Sequence, residues 1–344
     1  MKGFRIGNRL IGGDSDPVVI AEIGINHNGS IDLAIHLADK AINSGAEIIK
    51  HQTHVVEDEM SLEAKNIKPG NSNLDIFSII NGSILNEDEE RKLMNYIIQK
   101  KKIFISSPFS KKAVDRLEKF KVPAYKIGSG ECNNLPFVEY VAKRKKPIIL
   151  STGMNSINQI KKSVKLFRKY KTPYALLHCT NVYPTPYNLV RLECITQLKK
   201  TFNDAVIGLS DHTISNYTCL ASVALGAKIL ERHFIDKKSR KGPDVVCSMN
   251  PSELKNLIKG SKIIFSALKG KKELIKEEVV TARFAFGSVV STKKILKGEK
   301  FSSKNIFTRR PGTGFFSGED YNNLLGKKAK NNIESGKQLK KTDV

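Results

Sequence analysis

The chain has 344 residues, 40% hydrophobic and 27% charged, which excludes a disordered polypeptide and exceeds what one small core holds. No run of about 18 apolar residues occurs, so no membrane-spanning helix is expected, and the first twenty residues show no secretory leader, so the cytoplasm is the expected compartment. Lys and Arg number 58 against 34 Asp and Glu, a formal charge of +24. These cations lie in short groups along the whole chain, without a basic tail or a zinc-finger or RNA-recognition signature. The charge therefore predicts attraction of anions rather than nucleic-acid binding. The five cysteines are odd in number and include no C-x-x-C, which excludes a disulfide framework or a cysteine zinc site.

In chain order, short β-branched runs at 18–23, 46–50, 103–106, 124–127, 147–151, 174–178, 205–209 and 228–231 alternate with helix-like stretches. The helical stretches are 31–43, 87–100, 111–119, 136–143, 156–169, 189–200, 216–224 and 252–268. Strands alternating with helices at this spacing predict parallel βα units, and eight of them in some 250 residues predict a closed (β/α)₈ TIM barrel. An open doubly wound sheet is the alternative, weakened because no G-x-G-x-x-G follows the first strand. The connection 53–86 is too long for an ordinary loop and is expected to cover the mouth of the barrel. The barrel is predicted over 1–268 and a Lys-rich linker over 269–282. A second unit over 283–344 is too small to hold a large core alone.

Barrel enzymes carry their chemistry at the C-terminal ends of the strands. Read to those ends, the strands offer Glu22, Lys50 and Gln52, Ser107, Lys126 followed by Ser129 and Glu131, Ser151, His178 with Asn181 and Tyr183, Ser210 with Asp211 and His212, and Glu231 with His233. A single polar group there is usually just solvated. Lys50 and Lys126, however, lie inside apolar runs, where an unpaired ammonium is costly, so they call for an anion or buried carboxylates. With the hydroxyls of Ser107, Ser129 and Ser151 they suit a phosphate. His212 and His233 end adjacent strands and fit a divalent transition metal, with Asp211 and Glu231 as partners orienting the rings; two satisfied core histidines are the alternative. His27 and His178 read better as structural, and strand alternation turns His51 away from Lys50.

These residues stand within motifs: Ile23-Gly24-Ile25-Asn26-His27-Asn28-Gly29, Lys50-His51-Gln52-Thr53-His54, Glu57-Asp58-Glu59-Met60-Ser61, Tyr125-Lys126-Ile127-Gly128-Ser129-Gly130-Glu131, Leu150-Ser151-Thr152-Gly153-Met154, Gly208-Leu209-Ser210-Asp211-His212-Thr213 and Glu231-Arg232-His233-Phe234. In this order they resemble the bacterial N-acetylneuraminate (sialic acid) synthases. The C-terminal unit, with Phe284-Ala285-Phe286 and Arg309-Arg310-Pro311-Gly312, resembles that family's antifreeze-like (SAF) domain. The resemblance implies a TIM barrel, a manganese- or magnesium-dependent condensation of phosphoenolpyruvate with N-acetylmannosamine, and a domain-swapped homodimer. It implies His212 and His233 as metal ligands, and Glu131 and Glu22 as the catalytic carboxylates. Lys50, Lys126, Ser107, Ser129, Ser151, Asn181 and Ser210 would form the phosphoenolpyruvate site. Gln52, Asn71, Tyr183 and Asp244 would contact the sugar together with Glu22, and Arg310 would reach the neighbouring subunit's site. Ala21 stands where relatives often carry Cys or Pro, which leaves Glu22 in place. A legionaminic or pseudaminic acid synthase, acting on a 6-deoxy-2,4-diacetamido hexose, is the alternative within this chemistry. A non-catalytic sugar or ice binder is the alternative outside it, and it would need none of the lysines or histidines above.

Overall fold

A computed structural model describes residues 3–69 and 73–344, and the chain divides into two compact units, Met1–Lys269 and Gly270–Val344. The first opens with a hairpin of β1 (Phe4–Ile6) and β2 (Arg9–Ile11). Eight strands follow: β3 (Val18–Gly24), β4 (Ile48–Thr53), β5 (Ile103–Pro108), β6 (Tyr125–Ile127), β7 (Ile148–Ser151), β8 (Tyr174–Cys179), β9 (Val206–Ser210) and β10 (Ile229–His233). All pair in parallel, and β10 returns to β3 to close the barrel. The expected TIM barrel is thus present, and the open sheet is excluded.

Helices α1 (Ile31–Asn43), α2 (Val56–Glu59), α3 (Ile76–Asn81), α4 (Glu87–Gln99), α5 (Lys111–Lys119), α6 (Leu135–Ala142), α7 (Ile157–Tyr170), α8 (Glu193–Thr201), α9 (Tyr217–Ala224) and α10 (Pro251–Ala267) complete the unit. Asn86 with Glu89, Ser156 with Gln159 and Asn250 with Glu253 form capping boxes that start α4, α7 and α10. The long connection 53–86 is not structureless: α2, a 3₁₀ turn Leu62–Asn66 and α3 lie within it. Among the described residues no helix is long and apolar enough to cross a membrane.

The strands are buried on both faces, so each reads as a nearly continuous apolar run. The two faces nonetheless differ. Val19, Ala21, Ile49, Phe104, Tyr125, Leu150, Leu176 and Leu230 pack with the helices. The alternate residues Val18, Ile20, Ile48, Ile105, Ala124, Ile149, Ala175, Val206 and Ile229 form a separate cluster, closed below by Ile6 and Ile11 of the hairpin. That cluster fills the lower lumen. Gly208 belongs to this layer, because a Cβ there would lie 2.4 Å from the Ile229 carbonyl oxygen. Two residues further along the same face come Glu22, Lys50, Ser107, Lys126, Ser151 and Glu231, so the polar crown stands on an apolar floor.

Between barrel and helices lies a buried polar layer. Glu90 of α4 accepts from Thr53, sits 3.1 Å from His51 Nδ1 and pairs with Arg116 at 3.2 Å. His51 Nε2 lies 3.2 Å from His27 Nε2. This is the structural role expected for His27, and it places His51 outside the lumen. Burial, then the neighbouring His51, lowers the His27 pKa from 6.5 to about 3. Unfolding below pH 6.5 takes up a proton that the folded ring refuses. The stability contributed by His27 is therefore complete above pH 6.5 and is lost as the pH falls toward 3. Thermal unfolding of His27→Asn is expected to show a shallower acid slope in this window, by about 1.4 kcal/mol per pH unit. Parallel pH profiles for the variant and the parent would refute a neutral His27.

In the second unit the stretch read as a linker holds a 3₁₀ turn, Lys276–Glu278, and the start of α11 (Val279–Ala285). Strands β11 (Ser288–Ser291) and β12 (Ile306–Arg309) pair antiparallel, and α12 (Tyr321–Leu324) follows. Val289, Ile295, Phe301, Ile306, Leu324, Ala329, Ile333 and Leu339 make a small core of its own.

Candidate active site

The upper lumen holds a cavity of about 170 Å³ lined by Lys50, Gln52, Ser107, Lys126, Ser129, Ser151, Asn181, Tyr183, Ser210, His212 and His233, all expected from the sequence. Phe109, Cys179 and Glu231 also line it and were not assigned to a substrate. Cys179 follows from alternation: its neighbour His178 points outward and lies 2.6 Å from the Val190 carbonyl oxygen.

Two ammonium groups and two carboxylates interlock in the cavity. Lys50 pairs with Glu22, reaches Glu231 at 3.8 Å and donates to Ser107 Oγ at 3.3 Å. Lys126 pairs with Glu231 at 3.2 Å, and Ser210 Oγ donates to the same carboxylate oxygen at 3.3 Å. Burial raises Glu22 to about 7, against the pull of Lys50. Burial also lowers Lys126, against the attraction of Glu231, whereas the two lysines overcome burial and hold Glu231 low. Four charges in one dry crown are expensive unless each is paired. The anion expected from two inward lysines is thus already half answered by carboxylates, and a ligand anion would compete for the same ammonium groups. Ser151 Oγ is buried without a hydrogen-bond partner and is a free donor for such a ligand.

The imidazoles stand together, His212 and His233 with ring centroids 5.5 Å apart and Tyr183 tilted against His212 with centroids 4.1 Å apart. The expected orienting partners are corrected. Asp211 accepts instead from Thr213 and Thr218, and Glu231 serves the lysines. His212 Nδ1 faces the Thr180 carbonyl oxygen at 2.9 Å, and His233 Nδ1 lies 3.6 Å from Asp244 Oδ2. Burial lowers His233 well below 6.5; for His212 burial is outweighed by the Cys179 sulfur and the Thr180 carbonyl, which lift it to about 9. The donor set suits a divalent cation: two neighbouring rings, His212 held by the Thr180 carbonyl oxygen and His233 with a buried Nδ1 that makes no hydrogen bond. Among the described residues no group of three or more His, Cys, Asp or Glu could hold a metal, so such a cation would keep positions open for substrate and water.

Other expected residues lie apart. Glu131 ends the 3₁₀ turn Ser129–Glu131 after β6, accepts from Asn134 Nδ2 at 2.6 Å and is raised by burial. Asp244, also raised by burial, stands behind His233. Arg310 belongs to the second unit, where it borders a groove of about 720 Å³ with Arg309, Lys337 and Gln338. Asn71 lies outside the described residues.

Residues 37–273 match the model of the NeuB family, and 286–344 match that of the SAF domain. The chain belongs to the NeuB family. It is 35% identical to the N,N'-diacetyllegionaminic acid synthase of Campylobacter jejuni, over 94% of this chain and 98% of that protein. It is also 35% identical to the pseudaminic acid synthase of Campylobacter jejuni, over 99% of each. Among solved structures, the N-acetylneuraminic acid synthetase of Leptospira borgpetersenii, in complex with citrate, superposes with a TM-score of 0.75. The sequences there are 29% identical, covering 81% of this chain and 95% of that one. NeuB membership with a C-terminal SAF domain is the family that the motifs announced.

Proposed function

We propose that this NeuB-family enzyme condenses phosphoenolpyruvate with an N-acetylated amino sugar and water, giving a nine-carbon sugar acid and inorganic phosphate. The observation that carries the reading is the crown of Lys50, Lys126 and hydroxyls around one cavity, with two imidazoles on the same rim. In this reading Lys50, Lys126, Ser107, Ser129, Ser151, Asn181 and Ser210 hold the enol phosphate by charge-assisted hydrogen bonds. Glu22, Gln52, Tyr183 and Asp244 face the sugar. His212 and His233 would hold a divalent cation, manganese or magnesium, which when bound would supply Lewis-acid polarisation of the sugar aldehyde. C3 of phosphoenolpyruvate bonds to the aldehyde carbon, water adds at C2, and phosphate departs with its bridging oxygen as the C–O bond breaks. Glu131, kept protonatable by burial, exchanges the proton of that water.

The acceptor sugar is N-acetylmannosamine on the motif resemblance and the Leptospira structure. A 6-deoxy-2,4-diacetamido hexose is the second reading, supported by the 35% identity to the legionaminic and pseudaminic acid synthases of Campylobacter jejuni. The reading includes a domain-swapped homodimer in the cytoplasm, with Arg310 entering the neighbouring copy's site. Val280, Phe284, Phe286 and Phe315 are exposed apolar side chains of the second unit and suit such a contact. Phosphate release from phosphoenolpyruvate over a panel of these sugars, with and without manganese, tests the proposal. Release with N-acetylmannosamine at the highest kcat/KM is expected. A clear preference for a diacetamido sugar replaces the first acceptor by the second, and release with none refutes the condensation.

A further inference from the structure

We propose that His54, held by Glu59, is a positioning residue that sets which end of the Gln52 amide faces Glu22, and through it the sugar half of the site. This rests on the function proposed above. His54 directly follows β4, and its side chain is 3% exposed. One ring nitrogen, Nδ1, lies 2.8 Å from Glu59 Oε2, and the other, Nε2, lies 3.1 Å from Gln52 Oε1. The ring is stacked on Phe109, a cavity wall, with centroids 4.4 Å apart and planes 9° from parallel. Ring position and rotation are therefore both determined.

The consequence falls on Gln52. Both partner oxygens are acceptors, so this geometry requires His54 as imidazolium, giving Nδ1–H to Glu59 and Nε2–H to the Gln52 carbonyl oxygen; the Gln52 NH₂ group then turns to Glu22 and donates to Oε1 at 2.9 Å. The reversed amide would set an oxygen against that carboxylate and lose the bond. Glu22 is the strand partner of both Lys50 and His233, so its side chain stands between the anion crown and the imidazole pair. The space it occupies exists because Gly24 has φ +47°, with a register shift from Glu22 to Gly24; a Cβ there would lie 2.9 Å from Glu22 Oε1 and 3.2 Å from Gln52 Nε2. Glu59 closes α2, which is itself anchored where Asp58 accepts from the Lys112 backbone N–H at 2.9 Å. A continuous path, Glu59–His54–Gln52–Glu22–Lys50, thus runs from the start of the long connection into the crown. Neither His54 nor Glu59 lines the cavity, so His54 reaches the site through Gln52 and Glu59 through His54; the Glu59 charge also helps raise Glu131, so the comparison is read on KM rather than kcat.

His54→Phe keeps the volume and the stack on Phe109 but removes both polar contacts. Glu59→Leu leaves the ring in place without its anchor. In both, the KM for the amino sugar is expected to rise, by about ten-fold in His54→Phe and less in Glu59→Leu, with the KM for phosphoenolpyruvate within about two-fold of the parent. An unchanged sugar KM in His54→Phe, or equal rises for both substrates, would overturn the proposal, as would a normal Glu59→Leu. A second readout needs no turnover. With ¹⁵N-glutamine labelling, the Gln52 side-chain NH₂ is expected to exchange slowly with solvent in the parent and rapidly in both variants; unchanged exchange counts against His54. If the parent converts none of the sugars, the condensation fails while the amide exchange still decides this point. Should His54→Phe not fold, Glu59→Leu carries the same comparison.

Discussion

Alanine at His212 or His233 is expected to abolish metal-dependent turnover, lowering kcat/KM by about a thousand-fold or more. The size follows from the poverty of the donor set. Among the described residues no group of three or more His, Cys, Asp or Glu could hold a metal, so each imidazole would supply half of the protein's hold on a cation bound there. The two variants should differ in what else they disturb. His212 is packed against the tilted Tyr183 ring and tied to the Thr180 carbonyl, so its loss also frees the loop after β8. His233 is strand-held between Glu22 and the Asp244 carboxylate, and its loss leaves the loop intact. Calorimetric titration of each chelated protein with manganese measures the hold directly, independent of any substrate. Full activity of either variant in the presence of chelator would remove the imidazole pair from the chemistry.

Lys126→Met is expected to weaken phosphoenolpyruvate binding by about a hundred-fold or more while the protein still folds. Lys126 is held by one carboxylate, Glu231, and that carboxylate retains Ser210 and the more distant Lys50 when the ammonium is gone. Methionine fills the stem's place, and burial already disfavours the charge at this position. Lys50 is the contrasting case. It answers both Glu22 and Glu231, so Lys50→Met strands a buried carboxylate, and stability should fall by about 3 kcal/mol or more alongside affinity. Calorimetry with phosphoenolpyruvate, paired with thermal unfolding, separates the two effects. Undiminished affinity in Lys126→Met would mean that the anion is held elsewhere.

Much of the site was legible because its residues break a local rule. Lysine inside an apolar run, as at Lys50 and Lys126, and histidine at consecutive strand ends, as at His212 and His233, stand out against the burial expected of barrel strands. The misreadings share a cause. Glu231 reads as a histidine's partner in a sequence where it stands two residues from His233, but its side chain reaches Lys126 of β6 and Lys50 of β4 across the lumen. Asp211, beside His212 in sequence, points away from it by alternation and serves the α9 side. His54 and Glu59 lay inside recognised motifs without a role, since a five-residue spacing spanning a strand end and a short helix says nothing about contact until both are folded.

The chain alone determined the alternation of strands and helices, the count of eight, the small C-terminal unit and the inventory of cations, hydroxyls and imidazoles at the strand ends. Periodicity and burial cost act over a few residues, so they are written locally. Only the closed barrel decided which of those groups meet. Curvature brings β4, β6 and β10 face to face around one lumen, and a charge selects its partner by distance through a dry interior rather than by separation along the chain.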